Sequence, residues 1–192
     1  MRRNLPYIPT LGYTGDYPTI SNKRGDLPQS IKFGRYGSGS TGPFHGFVDD
    51  WRLEGIWRDP AYMLDKAGQA GIVIAPDFSV FPHYPHYFAC YQVWRSRLVA
   101  AWWQANGVTV IPVLQWTHSG DSRLSHYFAG LEHCELVAVR APSVGFEMDW
   151  QAAAECFVSM YPEITVLHFG PRRGSDVFPN CILQSLNPRM SL

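Results

Sequence analysis

The chain has 192 residues, enough for one domain with a sizeable core and too few for two comfortable ones. Sixteen basic residues balance 16 acidic ones, and 46% of the chain is hydrophobic against 17% charged. This excludes a disordered polyelectrolyte and a global field that would draw the whole molecule to nucleic acid or anionic lipid.

Aromatic residues make up 15% of the chain, more than a core of this size requires, so some are expected at a contact surface. The start, Met1-Arg2-Arg3-Asn4-Leu5-Pro6, lacks the apolar run of a signal peptide, and no window reaches the length of a membrane span. Cys90, Cys134, Cys156 and Cys181 are widely spaced and read as buried free thiols. The expected compartment is the cytoplasm, with no membrane partner.

Residues 1–43 are rich in Gly, Pro, Ser and Tyr and read as an irregular N-terminal arm, followed by an α/β domain over 44–192. Tyr7, Ile8, Leu11, Tyr13 and Tyr17 suit an arm that wraps the domain. Arg2, Arg3, Lys23, Arg24, Lys32 and Arg35 give it a modest basic strip, and Gly37 to Pro43 reads as a flexible link.

From Phe44 strand and helix patterns alternate, the signature of a parallel sheet with covering helices. The first strand is expected over Gly46 to Asp49, and Asp59-Pro60 opens a short helix through Met63 and Lys66. Gly71 turns the chain into a second strand, Ile72 to Ala75. Pro82 and Pro85 mark an irregular loop before the longest helix, His86 to Ala105, whose stop is Asn106-Gly107.

The third strand, Val108 to Leu114, is apolar on both faces, and Pro112 predicts a strand end, an edge or a bulge within it. Ser122 to Ala129 reads as one or two helical turns and Leu136 to Val139 as a fourth strand. Asp149 reads as the cap of a helix through Trp150, Ala154, Phe157 and Met160, and Ile164 to Leu167 as a fifth strand. The fold class is α/β: a single domain of about five βα units with a mainly parallel sheet, partial or small TIM-barrel-like.

In such a fold the carboxyl ends of the strands share one rim, which would gather Asp49, Asp50, Asp77, Gln115, Trp116, His118, Asp121, Arg140, His168 and Arg172. Three carboxylates close together suit a hard divalent cation, or split acid and base roles by pushing their pKa values apart. The expected catalytic set is Asp49, Asp50, Asp77 and His168. Gln115, Trp116, Arg140 and Arg172 are expected to bind substrate, the arginines as clamps for an anion. Mg or Mn is the expected metal, with Asp49 and Asp77 as ligands. The competing reading of each aspartate is a helix cap or turn.

His83-x-x-His86 and His118-x-x-Asp121 carry ligand-type residues without a third ligand at a motif spacing. Cys90 and Cys134 show no base that the sequence identifies, and no G-x-S-x-G, Walker or G-x-G-x-x-G pattern is present.

Val48-Asp49-Asp50-Trp51 with Trp57 and Pro60, Pro76-Asp77-Phe78-Ser79, Trp94-Arg95-Ser96-Arg97 leading to Trp103, and Val110-Ile111-Pro112 closing at Trp116 together resemble the family called domain of unknown function 4417. The resemblance covers residues 44–170 and departs at the His83 to His86 loop. It implies a bacteriophage or mobile-element setting, an intracellular location, and a shared constellation of Asp49, Asp50, Asp77 and Trp116. It implies no particular activity. The expected function is metal-assisted hydrolysis of a phosphodiester or nucleotide. The alternative is a non-catalytic module that binds a nucleic acid, a nucleotide or a host protein in replication or counter-defence.

Overall fold

Short β-branched and aromatic runs, buried on both faces, lie side by side and parallel through most of the molecule. The computed structural model describes residues 12–28, 30–39, 41–117 and 120–186. In chain order, β1 (Tyr13–Thr14), β2 (Tyr17–Pro18), β3 (Ser21–Asn22) and β4 (Gly34–Arg35) precede β5 (Phe44–Gly46). Two helices follow, α1 (Asp50–Arg58) and α2 (Pro60–Ala70), then β6 (Ile72–Pro76), α3 (His86–Ala105) and β7 (Thr109–Ile111). The last part holds α4 (Leu124–Phe128), β8 (His133–Cys134), β9 (Leu136–Arg140), α5 (Glu147–Met160), β10 (Thr165–Phe169) and β11 (Cys181–Gln184).

A four-stranded parallel sheet has the order β4-β5-β6-β7, and a three-stranded parallel sheet the order β11-β10-β9. They join where Pro112, which has no N–H to give, ends β7. Beyond it Val113 bridges to Ala138 in parallel, and the Leu114 N–H donates to the Ala138 carbonyl at 2.7 Å. At the other side, the ring of Phe169 lies 5.3 Å from His45, 5.0 Å from Phe47 and 5.8 Å from Phe33. Nε2 of His45 lies 2.9 Å from the Leu186 carbonyl just past β11. The two sheets thus face each other across an aromatic filling.

Four of the five expected strands appear with shifted ends, while the first, expected over Gly46 to Asp49, lies instead at Phe44–Gly46. The first stops at Gly46 because the chain turns there: the Val48 N–H donates to the Gly46 carbonyl at 2.9 Å, and α1 starts at Asp50. α1 itself goes unread in the sequence, where Gly55 weakens a pattern whose buried residues are Leu53 and Ile56. The fifth helix begins at Glu147, so Asp149 is an acid of its first turn, not its cap.

α3 is buried nearly all round over Gln92 to Trp103, so its core includes Gln92, Arg95, Ser96 and Arg97. Arg97 donates to the Val113 carbonyl at 2.7 Å, holding the joint beside Pro112. Tyr17, Ile20 and Phe33 are buried in the same core, while Tyr7, Ile8, Leu11, Arg2 and Arg3 lie outside the described residues. Among the described residues no helix is long and apolar enough to cross a membrane.

Candidate functional site

The rim at the carboxyl ends of β6, the Val113 bridge and β9 surrounds a cavity of about 360 Å³. Strand β6 delivers Asp77, which its N–H anchors to the Gly46 carbonyl at 3.3 Å. That close approach needs a glycine, since a Cβ at Gly46 would stand 2.5 Å from the Ala75 carbonyl oxygen. The segment after Val113 delivers Gln115, Trp116 and Thr117, and the end of β9 delivers Arg140. From α5 come Asp149 and Trp150.

Asp77 and Gln115 form the polar floor. The Gln115 amide nitrogen donates to Oδ1 of Asp77 at 3.0 Å and to the Phe78 carbonyl at 2.6 Å, which fixes the orientation of the amide. Its oxygen is buried and accepts no hydrogen bond among the described residues. Burial pushes the Asp77 carboxyl up to about 6; Arg140 opposes this, the charge of Asp50 adds to it, and the hydrogen bond from Gln115 opposes it.

The walls are aromatic. Trp116 and Trp150 pack with ring centres 5.2 Å apart, and Phe81 and Phe146 complete the lining. Trp150 lies so close to Gly174 that a Cβ there would stand 2.5 Å from its ring. Phe78, directly after Asp77, is held from beneath by Arg95, whose guanidinium carbon lies 3.8 Å from the ring centre. Arg95 in turn pairs with Glu54.

The structure brings Asp77, Gln115, Trp116 and Arg140 to one cavity. Asp50 stands behind it, its carboxylate accepting from the Ser79 N–H at 3.0 Å and the Ser79 hydroxyl at 2.8 Å, so it fixes the loop after β6. Asp49, one residue earlier, is exposed, with its carboxylate 3.9 Å from both Arg35 and Arg52. It does not join Asp77, because the start of α1 at Asp50 turns it outward.

His168 does not line the cavity either. It lies on the side of β10 that faces α5, buried against Trp150 and Phe178, with Nε2 3.1 Å from the Arg173 carbonyl. Burial lowers its pKa, so the ring is a neutral packing group. Arg172 is exposed in the loop after β10 and contributes its carbonyl to Ser175. Asp121 is buried in a separate cluster, and His118 lies outside the described residues. Among the described residues no three of His, Cys, Asp or Glu stand together as a metal site.

Ser79, Thr117, Phe146, Asp149 and Trp150 also line the cavity, and the sequence placed none of them at the site. The available signal was positional: the loop after a fourth strand ending at Arg140 must return over the rim before the next helix.

The family model described as Domain of unknown function (DUF4417) matches residues 26–169. The chain is 38% identical over 146 residues to a protein described as Gene 1 protein of Mycobacterium phage L5, a match covering 73% of this chain and 62% of that one. It is 37% identical over 109 residues to the Gene 1 protein of Mycobacterium phage D29, covering 57% of this chain and 40% of the other. The chain therefore spans less than two thirds of either relative. No solved structure matches it.

Proposed function

This chain belongs to the family described as domain of unknown function DUF4417, and from that premise we propose that its rim cavity binds a nucleotide, or the phosphate end of a nucleic acid, and hydrolyses a phosphate ester there. The observation that carries the reading is the convergence of Asp77, Gln115 and Arg140 on one cavity whose wall includes Trp116 and Trp150, packed against each other. Aromatic walls suit a planar base, and Arg140 suits a phosphate. A volume of about 360 Å³ is that of a small-molecule site.

Asp77 is the proton-transfer group of this reading. A carboxyl at about 6 is ionised at neutral pH yet basic enough to take a proton from an attacking water. Arg140 stabilises the charge that develops on the phosphoryl oxygens. The role first expected for a metal held by Asp49 and Asp77 passes to Arg140, since Asp49 faces Arg35 and Arg52.

A second reading, a binding module without chemistry, draws support from Val144, Phe146 and Met148, which are exposed beside the cavity and suit contact with a nucleic acid or a host protein. One experiment separates the two. Wild type, Asp77→Asn and Arg140→Ala are compared for binding and for phosphate release with a panel of nucleoside phosphates and short oligonucleotides. The hydrolase reading expects Asp77→Asn to bind but not turn over, and Arg140→Ala to bind at least about tenfold more weakly. Binding with no turnover by wild type selects the second reading.

A further inference from the structure

A second group of reactive side chains stands where the start of α3 meets α4, sharing only Thr117 with the rim cavity. Cys90 follows His86 by one helical turn, so the two side chains lie on one face of α3. Sγ of Cys90 is 3.4 Å from Nε2 of His86. Nδ1 of His86 is 3.0 Å from the Tyr127 hydroxyl and 3.7 Å from Oδ2 of Asp121. The Tyr127 hydroxyl donates to that same Oδ2 at 3.0 Å. Oδ1 of Asp121 accepts from the backbone N–H and from Nε of Arg123, each at 3.0 Å.

The protons of this chain can be assigned by elimination. Burial works against a charge on Asp121, but the hydrogen bonds from Arg123 and Tyr127 outweigh it and hold the carboxyl well below the usual carboxylate range. Asp121 is therefore an acceptor only. Tyr127 has one hydroxyl proton and keeps it, since burial, with Asp121 adding, pushes its pKa up to about 12. That proton goes to Asp121, so the phenol oxygen accepts from Nδ1 of His86. Nε2 is then the unprotonated nitrogen, and it is the one beside the thiol.

We propose that Cys90 is an activated thiol that exchanges with small disulfides, with His86 as its base and Tyr127 and Asp121 as positioning residues. Nε2 of His86 takes the thiol proton while Sγ attacks one sulfur of the disulfide. A new S–S bond forms as the old one breaks, and the departing thiolate takes the proton back from His86. The products are a mixed disulfide on Cys90 and one free thiol. Cys90 is half-buried and the His86 side chain is 23% exposed, which admits a small reagent.

The other groups around the pair are Arg123 and His126 beside His86, and Tyr17 of β2 beside Cys90, its hydroxyl donating to the Cys90 carbonyl at 3.5 Å. Arg123 and His126 bear on His86. Together with burial, the largest cause, they lower its pKa, against the pull of Asp121, so the ring is neutral near pH 7. The remaining thiols are built differently. Cys134 is buried, with burial pushing it up to about 12, and it donates to the Ile20 carbonyl at 3.3 Å. Burial raises Cys181 as well, and Cys156 is half-buried on α5.

The test treats the full folded chain with oxidised glutathione and follows each cysteine by peptide mass spectrometry over time. Cys90 is expected to be modified at least about tenfold faster than Cys156, and His86→Gln to slow Cys90 about tenfold while leaving Cys156 unchanged. In wild type the Cys90 rate should show a step below pH 6.5, where His86 loses its proton. Tyr127→Phe, which removes the acceptor for Nδ1–H, should weaken that step. A Cys90 no faster than Cys156, or a rate indifferent to His86→Gln, overturns the proposal. If His86→Gln fails to fold, the wild-type profile decides, and the absence of a step overturns it.

Discussion

Asp77 combines a buried carboxyl with an amide donor and a nearby guanidinium, and this has a consequence for stability that needs no ligand. Its carboxyl titrates at 3.8 in an ordinary setting and at about 6 in the fold. The folded chain therefore holds the extra proton between those values, so stability falls as pH rises through that window and the loss is complete above it. With allowance for partial exposure the cost at pH 8 is about 2 kcal/mol. Asp77→Asn is expected to be more stable than wild type by that order at pH 8 and equal to it at pH 3.5, read by equilibrium denaturation. A variant no more stable at pH 8 contradicts this. The same titration predicts that turnover rises as pH passes 6, when Asp77 becomes a base. Asp77, Gln115, Trp116 and Arg140 were legible because each ends an apolar run, and a run's end sits at the rim. His168 ends such a run too, but a strand buried on both faces has no alternation to reveal which side a residue takes. His168→Gln should lower stability and leave ligand affinity unchanged, by calorimetry; a loss of affinity alone would return it to the site.

At the scale of elements, the cavity floor depends on how α3 and β5 hold the loop after β6. Arg95 on α3 supports Phe78 from beneath, pairs with Glu54 on α1, and donates to the Gln92 side chain at 3.0 Å. Arg95→Ala removes the stack and leaves Glu54 without its partner. The expected loss is about 3 kcal/mol, seen as a lowered melting temperature, and a change of under about 0.5 kcal/mol would contradict it. Gly46→Ala forces a Cβ against the Ala75 carbonyl, so it is expected to cost about 1–3 kcal/mol and to weaken binding in the adjoining cavity. α3 itself was legible to its ends, from the Pro85 boundary and the Asn106-Gly107 stop. Its buried side was not. Periodicity counts apolar residues, while here Arg95 and Arg97 are buried by pairing with a carboxylate, a ring and backbone carbonyls.

For the whole molecule, the parallel order of strands is what gathers residues as distant as Asp77 and Arg140 into one cavity. The alternation of strand and helix from Phe44 made this readable, since parallel neighbours require crossovers. β4 and β11 escaped notice, because two residues, and four residues without alternation, give no strand period. The Cys90 and His86 cluster escaped as well, since its Asp121 and Tyr127 come from another part of the chain and only folding brings them together. The central claim is that the rim cavity takes a nucleotide-type ligand through Arg140 and places it beside Asp77, which acts on it as a base. It is tested most directly by titration calorimetry of the full chain with nucleoside monophosphates, beside Arg140→Ala and Asp77→Asn. Saturable one-site binding by wild type, weakened at least about tenfold by Arg140→Ala and retained by Asp77→Asn, is the predicted result. No binding by wild type, or equal binding by Arg140→Ala, would contradict it.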